Sequence, residues 1–262
     1  NYFIDPSKNL SHKFLLNQGD NIPYSGGVLI FISCLFFLTS EYNVLKIFLL
    51  LIVIIGVLSD LEILKSPTKR IIFQTIILSI FLIISEIFIE SIRIEYIDNF
   101  LKVYQFKFIF TIFCLLILIN GTNFLDGLNT LVAVYYIMMI FCILYIKHQF
   151  NFNIETEILE VILLALIVFL IFNIFGKAYL GDNGSYLISF ILGIFLIELS
   201  NKDLFHIETA QNLSPYFVAC LLWYPAYENL FSIIRKKMKK ISPAKPDNRH
   251  LHQLIFIQLK KN

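Results

Sequence analysis

The sequence predicts an all-α, polytopic membrane helix bundle, and three observations predict it. The 262 residues are 58% hydrophobic and only 15% charged, with a mean hydropathy of +0.76, more apolar side chain than a water-soluble domain of this size can bury. The apolar residues come in long unbroken runs rather than in alternation, which is the pattern of spanning helices. The polar residues are gathered into short clusters at the ends of those runs.

Eight apolar segments can be drawn, at roughly 25–39, 43–58, 71–90, 106–119, 128–146, 157–175, 186–199 and 213–234. Several are shorter than the about 17–20 residues of a perpendicular crossing. These are expected to extend into flanking polar turns, as Lys46 could by snorkelling. No repeat of 20–50 residues divides the chain, so residues 1–262 are read as one integral-membrane domain. If both termini and the loops after the second, fourth and sixth segments share a side, that side carries 15 of the 21 Lys and Arg residues. Nine of the fifteen lie in 235–262. The positive-inside rule assigns that side to the cytoplasm.

Composition also excludes function classes. The lysines and arginines form no stripe interleaved with aromatics, so nucleic acid is not an expected partner. Cys34, Cys114, Cys142 and Cys220 lie singly within apolar runs, which suits buried packing and implies neither disulfide nor zinc. A transporter would want ionisable groups at mid-membrane, whereas Glu86, Glu198 and Glu228 fall towards the ends of the expected spans.

Four polar clusters are brought to the cytoplasmic side by this topology. In the run Asn120 to Asn129, Asn120, Asn123 and Asp126 are three residues apart and share one face of a helix. That face offers amide oxygens and a carboxylate, hard ligands that magnesium accepts, and leaving such groups unpaired in lipid costs several kcal/mol. Gly181-Asp182-Asn183-Gly184-Ser185 joins two apolar segments. It suits a turn and helix N-cap, or a second metal carboxylate with backbone amides facing phosphate oxygens. Asp60 closes the second segment. It either caps a helix starting near Pro67 or contacts a nucleotide or metal, with Arg70 and Gln74, one turn apart, holding phosphate. In the basic tail, the loop ending in Arg249 and His250, with His252 beyond, is a rigid way to present imidazoles to phosphate. No third or fourth nitrogen or sulfur ligand accompanies them for zinc.

Taken together these motifs resemble the polyprenyl-phosphate N-acetylhexosamine-1-phosphate transferase superfamily. The likeness runs in order through Asp5-Pro6, Ser11-His12-Lys13, Ile22-Pro23-Tyr24-Ser25-Gly26-Gly27, Gly56 to Gln74, Asn120 to Leu128, Gly181 to Ser185 and Ser242 to Gln253. It implies a bundle of about ten or eleven helices, so that a first span and one or more last spans are expected beyond this chain. It implies a bacterial plasma-membrane enzyme in which polyprenyl phosphate attacks the β-phosphorus of a UDP-N-acetylhexosamine, with release of UMP. Mg²⁺, with Mn²⁺ as a substitute, is the implied cofactor; membrane lipid is a further expected partner, and the sequence leaves a homodimer open.

Residue by residue, Asn123 and Asp182 match the family's magnesium ligands, Asp126 a second carboxylate at the nucleotide-sugar site, and Asp60 the second of an aspartate pair. His250 and His252 match part of a histidine-rich substrate loop. Asn120, Arg70, Gln74 and Arg249 complete the candidate substrate contacts. Three positions depart from the pattern: Ser59 replaces an aspartate, Gln253 a histidine, and Tyr24 an arginine common after the proline. Ser59 and Gln253 keep open a non-catalytic paralogue that binds lipid phosphate or nucleotide sugar.

Overall fold

A computed structural model describes residues 22–150, 155–201, 213–240, 242 and 250–259. Among them are eleven α-helices, the long ones running up and down: α1 (Gly26–Phe37), α2 (Asn43–Asp60), α3 (Pro67–Ser85), α4 (Glu95–Leu101), α5 (Tyr104–Leu125), α6 (Leu131–Phe150), α7 (Glu157–Ile174), α8 (Gly181–Asn201), α9 (Pro215–Leu221), α10 (Trp223–Met238) and α11 (Leu251–Leu259). The described residues contain no strand. A single parallel bridge between Tyr24 and Tyr179 ties the segment before α1 to that before α8, held by Gly26 N–H to Tyr179 O at 3.1 Å and Tyr179 N–H to Pro23 O at 3.0 Å.

The eight expected segments all fall on helices, but the count of spans is corrected. Among the described residues six helices are long and apolar enough to cross a membrane, or seven if α9 and α10 are taken as one bent crossing. Helix α1 has 12 residues, about 18 Å at 1.5 Å per residue, too short to cross alone. The segment 213–234 is broken between α9 and α10 by a 72° bend. Pro225 accounts for the break: it has no N–H for the carbonyl of Leu221, and its ring would collide with that carbonyl in a continuous helix. Helix α3 is likewise fixed by its caps rather than by hydropathy. It starts at Pro67, where Ser66 accepts from Lys69 N–H at 3.4 Å, and it stops at Ser85 because Glu86 turns left-handed at φ 53°. The expected 71–90 therefore ends five residues early.

Helix α8 is the axis. Its apolar window is 89% buried against 22% for α3, and it packs on α1, α2 and α5. A Cβ at Gly27 of α1 or at Gly56 of α2 would overlap Asn183, so these two glycines let both helices close on the first turn of α8. The ring cluster Phe48, Phe81 and Phe190, with centroids 5.1 and 5.2 Å apart, fills the layer between α2, α3 and α8. Helix α3, and the outer faces of α1 and α7, instead present isoleucine, leucine and phenylalanine outward, as lipid contact requires. Cys34 is buried and Cys114 and Cys142 half-buried, but Cys220, expected in packing, is exposed on α9.

The alternation of direction brings the ends of α2, α5 and α10 and the starts of α3, α8 and α11 to one end of the bundle. That end is where the polar clusters meet.

Candidate active site

Everything at this end is organised around the first turn of α8. Gly181 opens it at φ 77°, and a Cβ there would lie 2.6 Å from Asp60 Oδ2, so only glycine fits both the backbone and the space. A helix leaves its first amides without partners. Here two carboxylates from other helices supply them: Asp126 Oδ2 accepts from Gly181 N–H at 3.1 Å, Asp60 Oδ1 from Asp182 N–H at 2.9 Å, and Asp60 Oδ2 from Asn183 N–H at 3.1 Å. Asp60 Oδ2 also accepts from Asn183 Nδ2 at 2.6 Å. Two expectations are corrected by this. Asp60 does cap a helix, but it caps α8 across the bundle while Ser66 caps α3. The amides of 181–183, expected to face phosphate, are already occupied by carboxylates, which the positive end of the helix dipole favours equally.

With the amides taken, the Asp182 side chain is turned to α2, α3 and α5. Its Oδ1 accepts from Asn123 Nδ2 at 2.7 Å. Its Oδ2 accepts from Arg70 Nη1 at 2.9 Å, from the Ser59 hydroxyl and, at 3.5 Å, from Tyr186 OH. Arg70 Nη1 also donates to Ser59 Oγ at 2.8 Å, so Ser59 sits between the guanidinium and the carboxylate. Asn123 Nδ2 reaches Ser185 Oγ at 3.2 Å as well. One turn along α3, Gln74 is fully buried and its Oε1 accepts from Asn120 Nδ2 at 3.1 Å. Arg70 Nε and Gln74 Nε2 are buried donors with no hydrogen-bond partner, an arrangement that invites an acceptor oxygen. The shared face expected of Asn120, Asn123 and Asp126 is present, addressed to α3 and α8.

The histidines form a neighbouring cluster. His250, 2% exposed, stacks on Phe124 with centroids 5.0 Å apart. Phe124 lies in sequence between Asn123 and Asp126, and that ring contact joins the two clusters. His252 stacks on His250 at 5.8 Å, and its Nδ1 lies 3.3 Å from Tyr224 OH. Burial, with nearby His250 adding to it and Glu228 opposing, pushes the His252 imidazolium down to about 4, so the ring is neutral at physiological pH. Its Nε2 is buried with no hydrogen-bond partner. Arg249, with 243–248, lies outside the described residues.

Sequence reasoning missed three participants. Ser59 reads as a lost carboxylate but is a bridge. Tyr186 follows the Gly181–Ser185 cluster on α8 and looks like an ordinary helix residue. Glu228 was set aside as lying near a span end, yet it is 1% exposed and receives His250 Nδ1 at 2.8 Å. Its signal was available, since an ionisable residue inside an apolar run is a functional candidate by default.

A metal can be tested against this donor set. Among the described residues no three His, Cys, Asp or Glu side chains converge as a preformed cage. Magnesium does not need one: it is held by one or two protein oxygens, with waters and phosphate completing the shell. Asp182 and Asn123, in contact and both oxygen donors, fit that requirement.

The family model of glycosyl transferase family 4 matches residues 42–200, from the start of α2 to the end of α8. The undecaprenyl-phosphate alpha-N-acetylglucosaminyl 1-phosphate transferase of Salmonella typhi is 26% identical over 253 residues, covering 90% of this chain and 65% of that protein. The Thermotoga maritima protein of the same name is 24% identical over 261 residues, 99% of this chain and 75% of its own length. The phospho-N-acetylmuramoyl-pentapeptide-transferase of Borreliella afzelii is 29% identical over 228 residues, 73% of this chain and 65% of that protein. The chain thus spans about two thirds of the length of the Salmonella and Borreliella relatives. With more than half of its residues inside the family model, the chain belongs to glycosyl transferase family 4.

Proposed function

We propose that this protein transfers N-acetylhexosamine-1-phosphate from a UDP-sugar to polyprenyl phosphate, with Mg²⁺ and release of UMP, on the cytoplasmic face of a bacterial plasma membrane. It would be the first membrane step of a cell-surface glycan. The observation that carries the reading is the convergence of Asp60, Arg70, Asn123, Asp126 and Asp182, from four helices, in one hydrogen-bonded network at one end of an apolar bundle. The named relatives that act on undecaprenyl phosphate support it.

The chemistry brings a phosphate monoester against a pyrophosphate, so charge is the obstacle. The lipid phosphate has a second pKa near about 6 by analogy with other phosphomonoesters, so it is already largely ionised and needs no strong base. Asp182 and Asn123 would hold Mg²⁺, whose charge neutralises the pyrophosphate when bound. Arg70 Nε and Gln74 Nε2, the buried donors without partners on α3, are placed to receive phosphate oxygens; the guanidinium adds charge and the amide adds direction. Asp60 and Asp126 position rather than deprotonate: they lock the turn that carries Asp182. His250, stacked beside Asp126 on Phe124, offers an imidazole to the same substrate region. Fixed dipoles and orientation would supply most of the acceleration.

The test is UMP release in membranes containing the full-length protein, undecaprenyl phosphate and a panel of UDP-N-acetylhexosamines, with and without Mg²⁺. Metal-dependent UMP from one donor is the expected result. Silence across the panel with the protein intact and inserted overturns the reading and leaves a binding paralogue.

A further inference from the structure

The Glu228 carboxylate lies in α10 yet serves the start of α11. Its Oε2 accepts from His250 Nδ1 at 2.8 Å and its Oε1 from Leu251 N–H at 2.8 Å. The two donors belong to adjacent residues, so one carboxylate grips both the imidazole and the backbone beside it. An ionised carboxylate only accepts, so His250 Nδ1 must carry the proton. Two rings stack on the imidazole, Phe124 at 5.0 Å and His252 at 5.8 Å, and Gln253 Oε1 accepts from the backbone N–H of His250 at 3.4 Å. Lys236, 4% exposed, covers the same Phe124 ring at 5.7 Å. A carboxylate 1% exposed has no reason to sit in an apolar segment for stability alone, because a paired buried charge barely offsets its own desolvation.

We propose that Glu228 is a positioning residue: it fixes the tautomer and orientation of His250 for the part that imidazole plays at the phosphate-bearing substrate. The role of His250 rests on the transferase reading; the grip of Glu228 on it does not.

The experiment uses the full chain, labelled with ¹⁵N-histidine, in detergent. The protein has five histidines, and His250→Gln identifies the signal of interest. In the unsubstituted protein His250 Nδ1 stays protonated from pH 6 to 9. In Glu228→Leu it reverts to the mixture of a free imidazole, in which the Nε2–H form predominates at high pH. Glu228→Gln makes the same test with the native shape retained, since its one acceptor oxygen cannot span both donors as two carboxylate oxygens do, and it is expected to give a mixed population. In UMP release, kcat for Glu228→Leu falls by on the order of 10²-fold or more, as when a catalytic histidine loses its orienting carboxylate. Glu228→Asp recovers part of that rate. The double variant Glu228→Leu/His250→Gln is no slower than His250→Gln alone, because the two residues act as one unit. A Nδ1 that remains protonated without Glu228, or losses in the two single variants that multiply in the double, overturns the proposal. If the unsubstituted protein releases no UMP, the transferase reading fails while the ¹⁵N signal still decides the role of Glu228.

Discussion

Asp182 is the residue on which the site turns, because it meets donors from α2, α3, α5 and its own helix at once. Asp182→Asn keeps the shape and removes the charge that Arg70 answers. It is expected to abolish measurable UMP release while lowering stability by only about 1–3 kcal/mol, the range for an impaired charged hydrogen bond; thermal melts in detergent alongside the turnover assay separate the two effects. Ser59 carries a sharper prediction. Ser59→Asp would place a second carboxylate against that of Asp182 with one guanidinium between them, so the variant should melt lower than the parent in EDTA and recover in Mg²⁺. A melt unchanged in EDTA would show that Arg70 alone absorbs the added charge.

His252 belongs to the same scale. Its imidazolium is pushed down to about 4 against an ordinary 6.5. The unfolded chain therefore binds the extra proton first as pH falls, and stability is lost between about pH 6.5 and 4 rather than gained. The titratable and charged groups around it are Glu228 and His250, with Lys236 beyond Phe124. The parent's melting temperature should drop between pH 7.5 and 5, and His252→Gln should flatten that drop; equal slopes would place the titrating group elsewhere.

At the scale of elements, the start of α8 is held from outside, which separates a carboxylate's structural work from its chemistry. Asp60 accepts three hydrogen bonds from Asp182 and Asn183, so Asp60→Ala should cost about 1–2 kcal/mol or more of stability, the upper range of a lost cap. A purely catalytic aspartate would leave the melt in place. Gly181→Ala meets two obstacles at once, φ 77° and the Asp60 oxygen, and about 1–2 kcal/mol of backbone strain is expected with activity lost alongside. Little of this was legible beforehand. Gly181 to Ser185 reads as a cap sequence, and it is one, but a sequence does not say which distant side chain accepts from its amides. Likewise Ser66-Pro67 announces the start of α3 by local chemistry alone, whereas the break at Leu222 follows from Pro225 and was passed over in favour of hydropathy.

For the whole molecule, the up-and-down order places Glu62 and Lys65, exposed beside the site, at the end opposite Asn99 of α4 and Arg93, whose carbonyl accepts from Tyr216 of α9 at 3.0 Å. The positive-inside reading makes the first pair cytoplasmic. In a version with the four native cysteines replaced, a cysteine at 62 should react with a membrane-impermeant maleimide only in inverted vesicles, and one at 99 only in intact cells. The reverse pattern would turn the site outward and remove access to a nucleotide sugar.

The sequence by itself determined the helical class, the start of α3 at Ser66-Pro67, and the gathering of polar residues in Asn120–Asp126 and Gly181–Ser185 at the ends of apolar runs. It could do so because periodicity, capping and the penalty of polar groups in lipid act over a few residues. Only the tertiary structure decided what those residues do. It made Ser59 a bridge, gave Asp60 and Asp126 to the amides of α8, left Arg70 Nε and Gln74 Nε2 without partners, and set Glu228 against His250. The bonds from Ser59 to Asp182, from the α8 amides to Asp60 and Asp126, and from His250 to Glu228 join residues at least 20 apart in the chain, and a hydrogen bond reads distance in space alone.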